Sequence, residues 1–248
     1  MRTSKLITFI ILSLMFLKLS AQNNDDRAFR FGMHFSPNFS WLSPNTSGYS
    51  SEGMKLGFSY GLSAEFFLSE NYLFSTGVTF STLGGKLKYE GAKEVNGIVT
   101  PTTVLQDLKI NYLDIPLTLK LKTNPIGYIA YYGNFGVNSQ FRFKAKSNFE
   151  YENLNGLEDS DVNVSSDVKF INISLIVGGG IEYNLSGNTN IMVGITYQNG
   201  FTNVLDSKTY LLDASGKATI DNTGKAVKSN KAASANLHSF VLNLGVYF

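Results

Sequence analysis

The chain has 248 residues, with 21 Lys and Arg against 19 Asp and Glu, for a formal net charge of +2. It has no cysteine and only two histidines, His34 and His238, which argues against disulfides, a lipid-modified cysteine, thiolate chemistry and a zinc centre. With no basic stripe to neutralise phosphates, nucleic acid is not an expected partner.

Glycine is abundant at 23, proline scarce at 5 and aromatics reach 13%, which suits one all-β domain. No cofactor is expected. In chain order, Arg2 and Lys5 precede an apolar run, Leu6 to Leu17, and then Leu19-Ser20-Ala21. That run falls short of the roughly 20 residues a helical span needs. Residues 1–21 therefore read as a secretory signal peptide cleaved after Ala21, and residues 22–248 as a single barrel domain.

Period-two alternation then recurs eight times. Strand one, about Phe29 to Trp41, sets Phe29, Phe31, Met33, Phe35, Phe39 and Trp41 against Arg30, Gly32, His34, Ser36, Asn38 and Ser40. Strand two puts Leu56, Phe58, Tyr60, Leu62 and Phe66 opposite Gly57, Ser59, Gly61, Ser63 and Glu65. Strand three, about Tyr72 to Tyr89, opposes Phe74, Val78 and Phe80 to Ser75, Gly77, Thr79 and Ser81. In strand four Leu113, Ile115, Leu117, Leu119 and Leu121 face away from Asp114, Thr118, Lys120 and Lys122. Strand five alternates Ile129, Tyr131, Phe135, Val137, Phe141 and Phe143 with Asn134, Asn138, Gln140, Arg142 and Lys144. Strand six separates Ile171, Ile173, Leu175, Val177, Ile181 and Tyr183 from Asn172, Ser174, Gly178, Gly180 and Glu182, and strand seven Ile191, Val193, Ile195 and Tyr197 from Met192, Gly194, Thr196 and Gln198. Strand eight closes the chain with Phe240, Leu242, Leu244, Val246 and Phe248 on one face.

Residue type decides which face meets what. The polar face is mostly Gly, Ser, Thr and Asn, too poor in Lys and Glu for a water-facing sheet but suited to a narrow lumen. The other face is aromatic and uncharged through its middle, as hydrocarbon demands. A soluble, lipocalin-like barrel with the faces reversed is the weaker reading. Tight turns at 69–71, 124–125 and 186–188 alternate with long connections near 42–54, 90–105, 147–167 and 202–236. That asymmetry is expected of outer-membrane barrels, with short turns on the periplasmic side. The fold expected is an eight-stranded, antiparallel, up-and-down transmembrane β-barrel in the outer membrane. Its surroundings are lipid, and Tyr247 and Phe248 form the terminal signal read by the barrel-insertion machinery. Strands longer than the roughly 9–11 residues that cross a bilayer should protrude as hairpins.

The segment Tyr112-Leu-Asp-Ile-Pro-Leu117 resembles the Tyr-Leu-Glu-Ile-Pro-Leu box of PorT-like outer-membrane β-barrel proteins. The strand Phe31-Gly-Met-His-Phe-Ser-Pro-Asn-Phe-Ser40, a signal ending in Ser-Ala-Gln22, and Val177-Gly-Gly-Gly-Ile-Glu-Tyr183 are similar to that group as well. Asp114 stands where Glu is more usual in the box. The resemblance implies a small membrane barrel and, through the member that names the family, envelope or protein-secretion proteins as candidate partners.

Pro116 lacks an amide hydrogen in mid-strand, so a bulge or bend is expected there. Arg30, Glu65, Asp114, Lys120, Arg142 and Glu182 should form a lumenal charge network, with Lys122 and Lys144 beside it. Asp114 is expected to pair with a neighbouring cation. Such groups would plug a narrow barrel, so a structural or interaction role is favoured over a narrow solute channel. A lipid-modifying enzyme ranks lower still. His238 and Ser239 point to opposite faces, and His34 reads as an interior histidine hydrogen-bonded to hydroxyls. Residues 147–167 are acidic and 202–236 carry five lysines, so the two loops are expected to pair with one another or simply to be solvated, the other reading being a recognition surface for an external partner or for divalent cations bridging lipopolysaccharide. Asp213-Ala-Ser-Gly-Lys217 and Asp221-Asn-Thr-Gly-Lys225 read as turn formers whose likeness is accidental, and neither matches a calcium loop.

Overall fold

The computed structural model describes residues 28–154 and 156–248, and the expected signal peptide, 1–21, lies outside the described residues. Eight long strands run in order: β1 Phe29–Pro44, β2 Lys55–Ser69, β3 Tyr72–Val95, β4 Ile98–Lys122, β5 Ile129–Tyr151, β6 Ile171–Ser186, β7 Thr189–Asn203 and β8 Ala235–Tyr247. Each pairs antiparallel with its chain neighbours, and β8 pairs with β1 from Gly32↔Tyr247 to Pro44↔Ala235. The sheet thus closes on itself as an up-and-down barrel. Closure leaves no free sheet edge, which is the condition for strands to lie in lipid.

The two faces sort as the alternation requires. Phe31, Met33, Leu56, Leu62, Phe135, Val177 and Ile195 are exposed around the outside, while Arg30, Glu65, Asp114, Lys120 and Glu182 are buried inside. Cross-strand aromatic pairs tile the outer wall: Phe35 with Phe58 at 6.1 Å, Tyr60 with Phe80 at 5.7 Å, and Trp41 with His238 at 5.6 Å.

Three local expectations are corrected. The segment 90–105 is not a loose connection. β3 and β4 stay paired from Tyr72↔Leu121 to Val95↔Ile98, and the chain reverses at Asn96 and Gly97 with φ of +53° and +80°. Two left-handed residues make the hairpin turn whose twist matches the strands, so this hairpin rises well beyond the membrane. Second, Pro116 causes no bulge. Pairing on the β3 side skips from Thr76↔Leu117 to Thr79↔Asp114 with the register kept, and on the β5 side Pro116 sits regularly opposite Asn138. The missing amide removes a bond without shifting the strand.

Third, a bulge does occur, but on β5. Tyr112 pairs with Arg142 while Asn111 pairs with Lys144, leaving Phe143 as the extra residue. One added residue inverts parity, so Lys144 turns to the outer wall and Ala145 and Ser147 turn inward to burial. Lys144 is therefore not lumenal.

Short pieces complete the outer end. Tyr49–Gly53 pairs with β3, Glu158–Asn163 with β5, and Lys208–Tyr210 with Lys228–Ala232. The likeness of the two Asp-Gly-Lys turns is structural. Asp213 accepts from the amides of Ser215 (2.8 Å) and Lys217 (3.0 Å), and Asp221 from those of Thr223 (2.8 Å) and Lys225 (2.9 Å).

Candidate functional site

The lumen gathers the buried charges of the described residues, and it is built in three tiers. The lowest lies at the short-turn end. Arg30 starts β1 directly opposite Glu65 of β2; Lys120 and Lys122 end β4; Glu182 lies late on β6. Arg30 Nη2 is 2.6 Å from Glu65 and 2.5 Å from Glu182, and Lys120 Nζ is 2.8 Å from Glu65 and 2.5 Å from Glu182. Lys122 adds a 2.5 Å contact to the second carboxylate oxygen of Glu182. Both glutamates are 1% exposed, so every charge here is answered inside the wall rather than by water.

Tyr132, Met192 and Tyr247 form an apolar cluster over these charges. The Arg30 guanidinium lies 4.7 Å from the Tyr247 ring centre, and Lys120 Nζ 4.4 Å from that of Tyr132. Tyr247 fits because its cross-strand partner is Gly32, where an added Cβ would come within 2.6 Å of the ring. Odd-position parity on β8 is the sequence signal that points Tyr247 inward.

The middle tier is polar and neutral apart from Asp114. The expected cation partner for Asp114 is not there. Its carboxylate accepts instead from Ser81 Oγ (3.0 Å), Asn138 Nδ2 (3.1 Å) and Gln140 Nε2 (3.1 Å). Gln140 in turn accepts from Asn172, which accepts from Thr202, each at 2.7 Å. Three neutral donors on two strands, β3 and β5, replace the ion pair. Arg142 sits one strand away on the bulge, half-buried, and its Nε has no hydrogen-bond partner among the described residues. The six expected residues thus separate: Arg30, Glu65, Lys120 and Glu182 form one network, while Asp114 and Arg142 stand apart from it. His34 behaves as an interior histidine, with ring nitrogens 3.0 Å from Ser63 Oγ and 3.1 Å from Thr79 Oγ1. A cavity of about 130 Å³ lies among His34, Thr79, Asp114, Thr118, Lys120 and Asn138, roomy enough for water.

The upper tier overturns the expectation of a polar lumen throughout. Leu42, Leu83, Leu87, Leu108, Ile110 and Tyr112 fill the bore, sealed by Val164, Val168, Val204 and Leu205 from the loops and by Ala235 and Leu237 of β8. Each fully buried leucine here contributes about 1.5–3 kcal/mol relative to exposure. The signal was present upstream of Asp114: Val104, Leu108, Ile110 and Tyr112 continue its even parity.

Outside the bore, no ion pair joins the acidic segment to the lysine-bearing loop among the described residues, although the Asp206 amide donates to the Asp167 carbonyl at 2.8 Å. Glu152 bonds Lys88, Asp159 bonds Lys93, and Asp161 bonds Lys146, all lysines of the β3–β4 hairpin or the β5 wall. Hydrogen bonds from Lys93 and Tyr151 hold the Asp159 carboxyl below the usual carboxylate range. Tyr49, stacked on Tyr89 at 4.6 Å, has its hydroxyl pushed up to about 12 by burial.

Among the described residues no cluster of His, Cys, Asp and Glu is arranged to hold a metal ion. No curated protein sequence matches the chain. Three solved structures illustrate the likeness of fold. Neisserial surface protein A is 15% identical, with 88% of this chain and 95% of that one covered and a TM-score of 0.41. The outer membrane protein OprG from Pseudomonas aeruginosa is 13% identical, with 89% and 95% covered and a TM-score of 0.43. The outer membrane protease OmpT from Escherichia coli is 10% identical, with 92% and 99% covered and a TM-score of 0.39. At such distances the likeness says nothing about activity. The family described as the outer membrane protein beta-barrel domain matches residues 20–206, which takes in β1 to β7. With that match, the apolar face outward and the charges sealed within, the chain belongs to the outer membrane protein beta-barrel domain family and resides in the outer membrane.

Proposed function

We propose that this barrel is a closed, non-enzymatic scaffold that displays an ordered outer platform and serves as an accessory subunit of an envelope or protein-secretion assembly. The observation that carries this reading is the double closure of the lumen, by the ion network below and by the packed leucines and Tyr112 above. A bore filled at both ends favours holding and presenting over conducting. The platform itself is paired backbone: the β3–β4 hairpin with Tyr49–Gly53 and Glu158–Asn163 laid against the barrel's outer extension. The likeness of Tyr112–Leu117 to the PorT-like box supports a secretion-related partner.

In this reading residues 1–21 are removed on export, residues 22–248 form the barrel domain, and exposed Phe248 beside Tyr247 is what the insertion machinery recognises. Tagged protein purified from gently solubilised outer membranes tests it. Stoichiometric envelope or secretion proteins are the expected companions. Recovery of the barrel alone, or large stable steps in a planar bilayer, would overturn the proposal, the latter in favour of a channel.

A further inference from the structure

The outer wall carries a knot of like charge that a single acid, Asp161, compensates only in part. Lys109 of β4 and Lys146 of β5 are direct cross-strand partners, and Lys144 stands beside them opposite Asn111. All three lysines reach the outer wall, Lys144 and Lys146 because of the bulge at Phe143. Like charges facing one another across a ladder are destabilising, yet only Asp161, through Lys146, answers the group. Neither Lys109 nor Lys144 has an ion-pair or hydrogen-bond partner among the described residues. Asp107, a second acid on this wall, is taken by Lys55, and Glu150 lies four residues beyond Lys146 along β5. Lys109, Asn111, Lys144, Lys146 and Asp161 line a cleft of about 170 Å³.

Height identifies what fills it. The last lipid-facing side chains on this wall are Phe80, its partner Leu113, and Phe143. Asn111 and Lys109 follow two and four residues further along β4. At a rise of about 3.3 Å per residue and a tilt of about 40°, they stand roughly 5 and 10 Å above the apolar edge. The headgroup zone adds about 5–8 Å to each side of the hydrocarbon, and lysine stems reach along a wall to place their charges. Because the long connections lie at this end, the leaflet is the outer one.

We propose that Lys109, Lys144 and Lys146, with Asn111, form a binding site on the barrel's outer wall for a phosphate of a phosphorylated glycolipid of the outer leaflet. The inference rests on membrane seating alone and stands or falls independently of the scaffold role. Native mass spectrometry of the full detergent-solubilised barrel tests it, with diphosphorylated lipid A as probe beside its phosphate-free form, phosphatidylglycerol and inorganic phosphate. The wild type should retain the diphosphorylated lipid. The triple variant K109Q/K144Q/K146Q should bind it about tenfold or more weakly, and the Lys→Arg triple variant should retain it. The wild type's preference should also weaken with added salt.

Equal binding by the glutamine variant, or by the phosphate-free lipid, would overturn the site. Equal retention of phosphatidylglycerol or of free phosphate would overturn the choice of glycolipid. Heat-modifiable gel mobility reports folding of each variant. Should the glutamine variant fail to fold, the comparison of phosphorylated and phosphate-free lipid on the wild type decides the matter.

Discussion

Glu182 accepts from Arg30, Lys120 and Lys122 at once, so its loss leaves two buried cations and the part-buried Lys122 facing the single carboxylate of Glu65. Removing one partner of a buried pair costs about 3–5 kcal/mol, and Glu182→Ala should lower stability by that amount in urea unfolding from lipid vesicles. Asp114→Asn should cost only about 0.5–1.5 kcal/mol, because its donors are neutral and one acceptor atom remains. An effect as large as that of Glu182 would show that Asp114 carries an ionic partner after all. At Gly32 a Cβ would stand 2.6 Å from the Tyr247 ring. Gly32→Val should therefore displace that ring and yield less heat-modifiable barrel, whereas Gly127, with open space around it, should tolerate alanine with only the strain of its φ of +65°. At this scale the sequence showed which residues face the lumen but not which meet. Parity put Asp114 and Lys120 on one face of the same strand, six residues or roughly 20 Å apart; which groups of the other strands lie level with each is set by the stagger between strands, absent from any local pattern.

The β3–β4 hairpin depends on its tip and on its lateral ion pairs. Gly97→Ala, at φ of +80°, strains the turn. It should raise amide exchange between about 90 and 104 while leaving the barrel's gel mobility unchanged. Asp159 binds this hairpin through Lys93, and its carboxyl is held below the ordinary range. A depressed folded-state pKa stabilises above the unfolded value of about 3.9, and that contribution disappears as pH falls through the folded value. Exchange at the hairpin should accordingly rise in acid below about pH 4 in the wild type and be insensitive there in Asp159→Asn. Strand existence, number and facing were legible because alternation of Phe, Leu and Ile with Ser, Gly and Asn is strong from Phe29 to Trp41 and from Ile171 to Tyr183. The hairpin was not, since Glu90 to Pro101 stand clear of lipid and lose the apolar half of the signal. The bulge at Phe143 escaped notice because Arg142, Phe143 and Lys144 preserve a perfect alternation while the backbone does not.

For the molecule as a whole, the two closures act in series. Glu182→Ala loosens the lower one only, and the packed Leu42, Leu87, Leu108 and Tyr112 still fill the upper bore. That variant should give no stable conductance steps in a planar bilayer; steps from it would mean the leucine plug is permeable. The lower closure also has a geometric peculiarity. Tyr247 belongs to β8, Arg30 to β1, and the contact between them crosses the seam where the sheet becomes a cylinder. A sheet that has not yet met its own far edge leaves the guanidinium of Arg30 without that ring above it. Joining the edges and shielding the charge are a single event, so the half-rolled sheet is penalised and the finished cylinder is locked by the residue that sealed it.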